Sequence, residues 1–176
     1  MRSKLFVPAS RPELFSKALA SDADALSFDL EDAVHASRKA EARLALAEFL
    51  RTAAAAASRK TIIVRVNPLA SDYFAADLDA VLQARVDLIN LPKPESPEDI
   101  RRTITAMESI EAARGLAAAA RVLVNIESPL ALRIASQLAG AHRRRRRPLG
   151  DVRHPHGGGR SRRLRLRCGV RRHRRS

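Results

Sequence analysis

Five short apolar runs, each followed by a segment with helical patterning, constrain this chain more than any other feature. They cover residues 5–7, 25–30, 61–66, 86–91 and 121–127. Nearly continuous apolar strands alternating with helices describe a parallel sheet joined by helical crossovers, because such strands are buried on both faces. Polar residues close the later four runs: Asp29/Glu31, Arg65/Asn67, Lys93/Glu95 and Asn125/Glu127. An open doubly wound sheet and a (β/α)8 barrel both fit the alternation. No Gly-rich phosphate loop follows the first run, which weighs against a dinucleotide fold. A barrel gathers strand-end polar residues around one mouth, so the expected fold is α/β, a partial (β/α)8 TIM barrel of about five β/α units.

The helices are read from stripes and caps. Ser10-Arg11-Pro12-Glu13 has capping-box spacing ahead of Leu14, Phe15, Ala18 and Leu19. A helix is expected over 38–57, with Ala42, Leu46, Phe49, Leu50 and Ala53 on one face and Arg38, Lys39, Glu41 and Arg43 crowding its first turns. Others are expected over 72–84, from Pro97 behind an N-capping Ser96, and over 129–138. Ile100, Ile104, Met107 and Ile110 are the expected buried face of the fourth.

Glu31-Asp32 emerges where a buried strand ends, and carboxylates are costly to desolvate without partners. Asp32 either caps the next helix or belongs with Glu31 to an acidic site at the carboxyl end of a parallel strand.

Charge divides the chain in two. Of 33 Lys and Arg and 19 Asp and Glu, residues 143–176 hold 15 Arg and one acid, Asp151, leaving 18 of each sign in the first 142 positions. The expected domains are therefore 1–142, the amino-terminal part of a barrel, and 143–176, an irregular Arg-rich tail. A frameshift near position 142 explains both the charge jump and the lost periodicity, because GCC-type Ala codons read as CGC (Arg) or CCG (Pro) in other frames. Its rival is a genuine basic arm binding nucleic acid or anionic surfaces, which would make the chain a noncatalytic α/β domain with an appended arm. The tail lacks the Lys and aromatics that such arms and base-stacking modules use. A single Cys, Cys168, excludes a disulfide framework. The first apolar run is too short for a signal peptide and no run approaches the roughly 18 residues of a membrane span. A cytoplasmic protein without membrane partners is expected.

Five segments, in order, resemble one known group: Arg2-Ser3-Lys4-Leu5-Phe6-Val7-Pro8, Phe28-Asp29-Leu30-Glu31-Asp32-Ala33-Val34, Arg65-Val66-Asn67-Pro68, Leu91-Pro92-Lys93-Pro94-Glu95-Ser96 and Asn125-Ile126-Glu127-Ser128-Pro129. The group is the citrate lyase beta subunit/malyl-CoA lyase branch of the HpcH/HpaI aldolase superfamily. The resemblance covers residues 2 to about 140. It implies a TIM barrel and a Mg²⁺-dependent carbon–carbon lyase or synthase acting on acyl-CoA thioesters and an oxo acid. It also implies a metal-binding and substrate-contacting Glu127, a substrate-binding and catalytic Arg65, and an acidic catalytic loop at Glu31 and Asp32. Arg2, Ser3 and Lys4, with Lys93, become candidate contacts for coenzyme A. Family members commonly assemble as trimers or hexamers. The family's second metal ligand is an Asp after a sixth strand; Asp151 falls at a plausible distance but lacks the apolar strand before it, so the match is read as chance. A five-strand fragment has an unpaired edge and an uncovered core, so the chain as written is expected to be poorly stable and inactive.

The residues support the same chemistry. Mg²⁺ takes hard oxygen ligands, keeps waters and needs one or two protein carboxylates. Cleavage beside a thioester leaves an enolate whose charge must be stabilised as it develops. A guanidinium at Arg65 offers a planar fork for a carboxylate or carbonyl. Structural alternatives stand beside these roles. Arg65 can pair with Asp29 or Glu31 inside the barrel, Glu127 can cap the fifth helix, Lys93 can be structural, and His35 has no assigned role.

Overall fold

The structure is a computed structural model and describes residues 1–82, 85–116 and 120–141. The tail from 142 on, with Asp151, lies outside the described residues. The backbone separates into Met1–Arg144 and Arg145–Ser176, and every described element belongs to the first unit.

Five strands form one sheet: β1 (Lys4–Pro8), β2 (Ala25–Asp29), β3 (Thr61–Arg65), β4 (Leu88–Leu91) and β5 (Arg121–Val124). Every pairing is parallel and the order is consecutive, β1-β2-β3-β4-β5. Consecutive order decides between the two architectures. A doubly wound sheet reverses direction at a switch point and puts helices on both faces. Here α1 (Phe15–Ala20), α2 (Lys39–Leu50), α4 (Phe74–Val81, after the short α3, Ala53–Ala57), α5 (Pro97–Ala113) and α7 (Ala135–Ala141, after α6, Pro129–Arg133) all feed one core. Phe15, Leu46, Leu78, Ile100 and Leu138 from the helices share it with Leu26, Phe28, Ile62, Val64, Ile89 and Val122 from the strands. The result is the first five units of a (β/α)8 barrel.

Side-chain alternation then fixes which residues face inward. Phe28 meets Phe15 edge-on at 5.1 Å and Phe49 at 5.4 Å, so the even-numbered residues of β2 point to the helices. Ser27 and Asp29 face the barrel interior. Parallel register sets Asp29 level with Arg65, Arg65 with Asn90, and Asn90 with Leu123. This is the floor on which the site is built.

Several local expectations are corrected. Ser10 does not cap a helix: its hydroxyl donates to the carbonyl of Ala33 at 3.4 Å, while Glu13 pairs with Arg11 and a 3₁₀ turn at Pro12–Leu14 precedes α1. The expected 38–57 helix breaks after Leu50, because Thr52 leaves helical geometry (ψ 149°) and its hydroxyl accepts from the amide of Ala55, starting α3. Ala55 is buried there, and Ala53 is exposed. The 129–138 helix likewise breaks at Ile134. Asp32 caps nothing; His35 N-caps the following 3₁₀ turn, its Nδ1 accepting from the amide of Ser37. At Ser96 the capping box forms, with Asp99 completing it, and Ile100, Ile104 and Met107 are buried while Ile110 is partly so.

Candidate active site

At the carboxyl end of the sheet, β2 and β3 bring a guanidinium against three carboxylates. Asp29 takes one edge of Arg65 in a bidentate pair, Nε donating to Oδ1 at 2.9 Å and Nη2 to Oδ2 at 2.6 Å. The remaining Nη1 lies 3.0 Å from Glu31 and 3.4 Å from Asp32. Asp29 also accepts from the amides of Glu31 and Ala33, so one buried carboxylate shapes the turn and holds the arginine. The expected structural pairing of Arg65 is therefore formed, with both Asp29 and Glu31. The Nε/Nη2 fork is occupied by Asp29, and Nη1 faces Glu31 and Asp32.

Lys93 arrives from the end of β4. Its ammonium sits 2.8 Å from Glu31 and 3.4 Å from Asp32. The residue has φ 51°, a left-handed conformation unusual for a side-chain-bearing residue and disfavoured before a proline such as Pro94. Strain of that kind costs roughly 1–3 kcal/mol and persists only where surrounding contacts hold it. Burial pushes the Glu31 carboxyl up, and Lys93 and then Arg65 pull against that rise.

A second layer, which sequence reasoning missed, braces this turn. The ammonium of Lys39, buried on α2, donates to the carbonyls of Leu30 and Glu31, both at 2.8 Å. Asn67 donates to the same Leu30 carbonyl and to Asp77, whose other oxygen receives Arg43 at 2.8 Å. Asp77 is fully buried on α4. The available signal was a pair of cations at the start of one helix and an acid within the apolar stripe of the next. Asn90, at the floor, is fully buried, and both amide atoms lack hydrogen-bond partners among the described residues.

The other expected residues lie elsewhere. Glu127 follows β5 at the same end of the sheet and is exposed; its Oε1 accepts from Asn125 at 2.9 Å. It does not cap the helix after it, since Ser128 does so by accepting from Ala131. Arg2 and Ser3 are at the opposite, amino-terminal end, where the carboxylate of Asp24 accepts from both their amides. The structure does not bring them to the cluster. Lys4 opens β1 with its ammonium 4.3 Å over the ring of Phe6. A cleft of about 460 Å³ opens beside the cluster, lined by Pro68, Leu69, Pro92, Lys93 and Arg102 among others.

Residues 2–145 match the HpcH/HpaI aldolase/citrate lyase family. The chain belongs to that family. It is 40% identical over 144 residues to citrate lyase subunit beta of Haemophilus influenzae, covering 81% of this chain and 49% of that protein. Against the L-malyl-CoA/beta-methylmalyl-CoA lyase of Cereibacter sphaeroides the identity is 36%, over 80% of this chain and 44% of the relative. Among solved structures, citrate lyase beta subunit complexed with oxaloacetate and magnesium from Mycobacterium tuberculosis superposes with TM-score 0.59 at 31% identity, covering 78% of this chain and 52% of that one. Protein CitE from the same organism, in complex with magnesium, acetoacetate and coenzyme A, gives 0.60 at 30% identity, over 78% and 44%. The chain thus spans about half the length of the relatives it matches.

For this HpcH/HpaI member, magnesium is the implied ion, and Glu127 fits it. Its carboxylate is exposed, it is a hard oxygen donor, and one oxygen is oriented by Asn125 while Oε2 carries no hydrogen bond among the described residues. No cluster of three or more potential ligands occurs among the described residues. No helix of the described residues is long and apolar enough to cross a membrane.

Proposed function

We propose that the protein carrying this chain cleaves, or forms, a 3-hydroxyacyl-CoA thioester such as citryl-CoA, malyl-CoA or citramalyl-CoA, yielding an acyl-CoA and an oxo acid. The observation that carries the reading is the Arg65–Glu31–Asp32–Lys93 cluster at the carboxyl end of β2–β4, with Glu127 after β5 at the same end. Relatives named for citrate lyase and malyl-CoA lyase support it.

In such a cleavage the substrate hydroxyl loses its proton. The carbon–carbon bond breaks, its electrons pass into the thioester enolate, and that carbon is then protonated. When bound, Mg²⁺ would polarise oxygens of the oxo-acid half, held by Glu127. Arg65, with Asp29 fixing its plane, presents Nη1 to an oxygen that gains charge, where a preoriented donor is most effective. Glu31 and Asp32 hold or move the proton, Glu31 from a buried position that raises its proton affinity. Lys93 supplies positive charge to the same corner and to the neighbouring cleft, where a CoA phosphate or substrate carboxylate would enter.

We further propose that residues 143–176 arise from a shifted reading frame and that activity belongs to a chain continuing the barrel. The test is to resequence the gene across codons 138–150, translate all forward frames, and assay both products for Mg²⁺-dependent release of acetyl-CoA from malyl-CoA. Turnover is expected from a product whose alternative frame restores a sixth apolar strand, and none from 1–176. Full activity in 1–176 overturns the frameshift reading. Inactivity of the restored chain on citryl-CoA, malyl-CoA and citramalyl-CoA alike overturns the lyase reading.

A further inference from the structure

Glu31 is 4% exposed, and its two oxygens meet cations of different character. Oε2 lies 3.0 Å from Arg65 Nη1 and Oε1 lies 2.8 Å from Lys93 Nζ, ion-pair contacts whose angles fall short of hydrogen-bond alignment. Arg65 cannot leave easily, because Asp29 holds its other edge and its side chain is 14% exposed. Lys93 can. Its side chain is 51% exposed, its backbone is held in a left-handed conformation ahead of Pro94, and it lines the 460 Å³ cleft together with Arg102 and the acids Glu95 and Asp99, the latter turned to the amides of Glu95 and Ser96.

An oxyanion entering that cleft reaches Lys93 from the open side, while Glu31 holds it from the buried side. Turning Nζ toward the ligand leaves Glu31 as buried as before but without its nearer counter-charge, and a desolvated carboxylate in that position binds a proton. The other charges around Glu31 do not replace Lys93. Arg65 on β3 is shared with Asp29 and Asp32, Lys39 on α2 is spent on the Leu30 and Glu31 carbonyls, and Asp29 and Asp32 in its own turn repel a second negative charge. We infer that Lys93 is an oxyanion receptor whose engagement transfers one proton from solvent onto Glu31, arming that carboxyl as an acid when ligand is bound. The bond formed is O–H on Glu31, the proton comes from the buffer, and the ligand's negative charge replaces Glu31 as the partner of Lys93.

The inference rests on the lyase reading for the source of the oxyanion, which is either the carboxylate of the oxo acid or a phosphate of coenzyme A. Titration calorimetry of the full chain distinguishes them: sodium pyruvate with magnesium chloride in one arm, coenzyme A in the other. Each titration is run at mildly acidic pH in two buffers of different ionisation enthalpy. The expected result is a binding heat that depends on the buffer, reporting uptake of up to one proton, in the arm whose oxyanion reaches Lys93. Lys93→Met and Glu31→Gln each abolish the uptake, and thermal melts establish that the variants are folded. Should Lys93→Met fail to fold, the near-isosteric Glu31→Gln decides alone. Binding without proton uptake in the unmodified chain, or uptake that persists in folded Glu31→Gln, overturns the coupling and leaves the lyase reading standing. Failure of the unmodified chain to bind either ligand overturns the receptor inference, while the lyase reading stands or falls with the assay of the restored chain.

Discussion

Asp29 is the residue on which the site depends most. It interrupts an apolar strand, and its two oxygens accept from two amides and from both nitrogens of one arginine edge. Removing one member of a buried pair leaves the other charge uncompensated, which is more costly than losing the contact itself. Asp29→Asn is therefore expected to lower stability by about 3 kcal/mol, read as a drop in the urea midpoint. Glu31 behaves in the opposite sense. Because burial raises its proton affinity in the folded state, its contribution to stability is fully present below the ordinary carboxyl range and is lost as pH rises through the raised folded-state pKa. The stability difference between the unmodified chain and Glu31→Gln is expected to shift against the unmodified chain over that window, with urea melts at stepped pH as the measurement. A flat difference would mean that Lys93 and Arg65 fully offset the burial.

Among the elements, the loop and helix that follow β4 show most directly how local chemistry places a functional group. Ser96 accepts from the amide of Asp99, Asp99 accepts in return from Ser96, and Pro97 occupies the first turn, so α5 starts at a defined residue. That fixed start anchors the Pro92-Lys93-Pro94 segment three residues upstream, where Lys93 holds its left-handed backbone. Ser96→Ala is expected to cost about 1 kcal/mol, with an unchanged dependence on denaturant. The cap was legible in the sequence because its partners are three residues apart. Helix breaks at Thr52 and Ile134 were not, since Ala-rich stretches carry the same local preference on both sides of a break and only packing onto the sheet selects where it falls.

For the molecule as a whole, one core joins all five β/α units, and Phe28 stands where three elements meet, against Phe15 of α1 and Phe49 of α2. Phe28→Ala is expected to lower stability by about 3–5 kcal/mol in a single unfolding transition; two separate transitions would show that the units do not share one core. The alternation of apolar strands and helices determined the α/β class, and the order of motifs along the chain pointed to the family, because both are written in residue type and spacing. Asp29, Arg65 and Glu31 were visible as polar residues at strand ends. The sequence offered Asp29 or Glu31 as structural partners for Arg65, but it could not say that Asp29 alone would take the fork, that Lys93 would reach across to Glu31, or that Lys39, Asn67, Asp77 and Arg43 would brace the turn from behind. Nor did it place Arg2 and Ser3 at the far end of the barrel from the cluster. Those facts depend on parallel register and on which face of each strand the helices cover, and both are set by contacts between residues tens of positions apart.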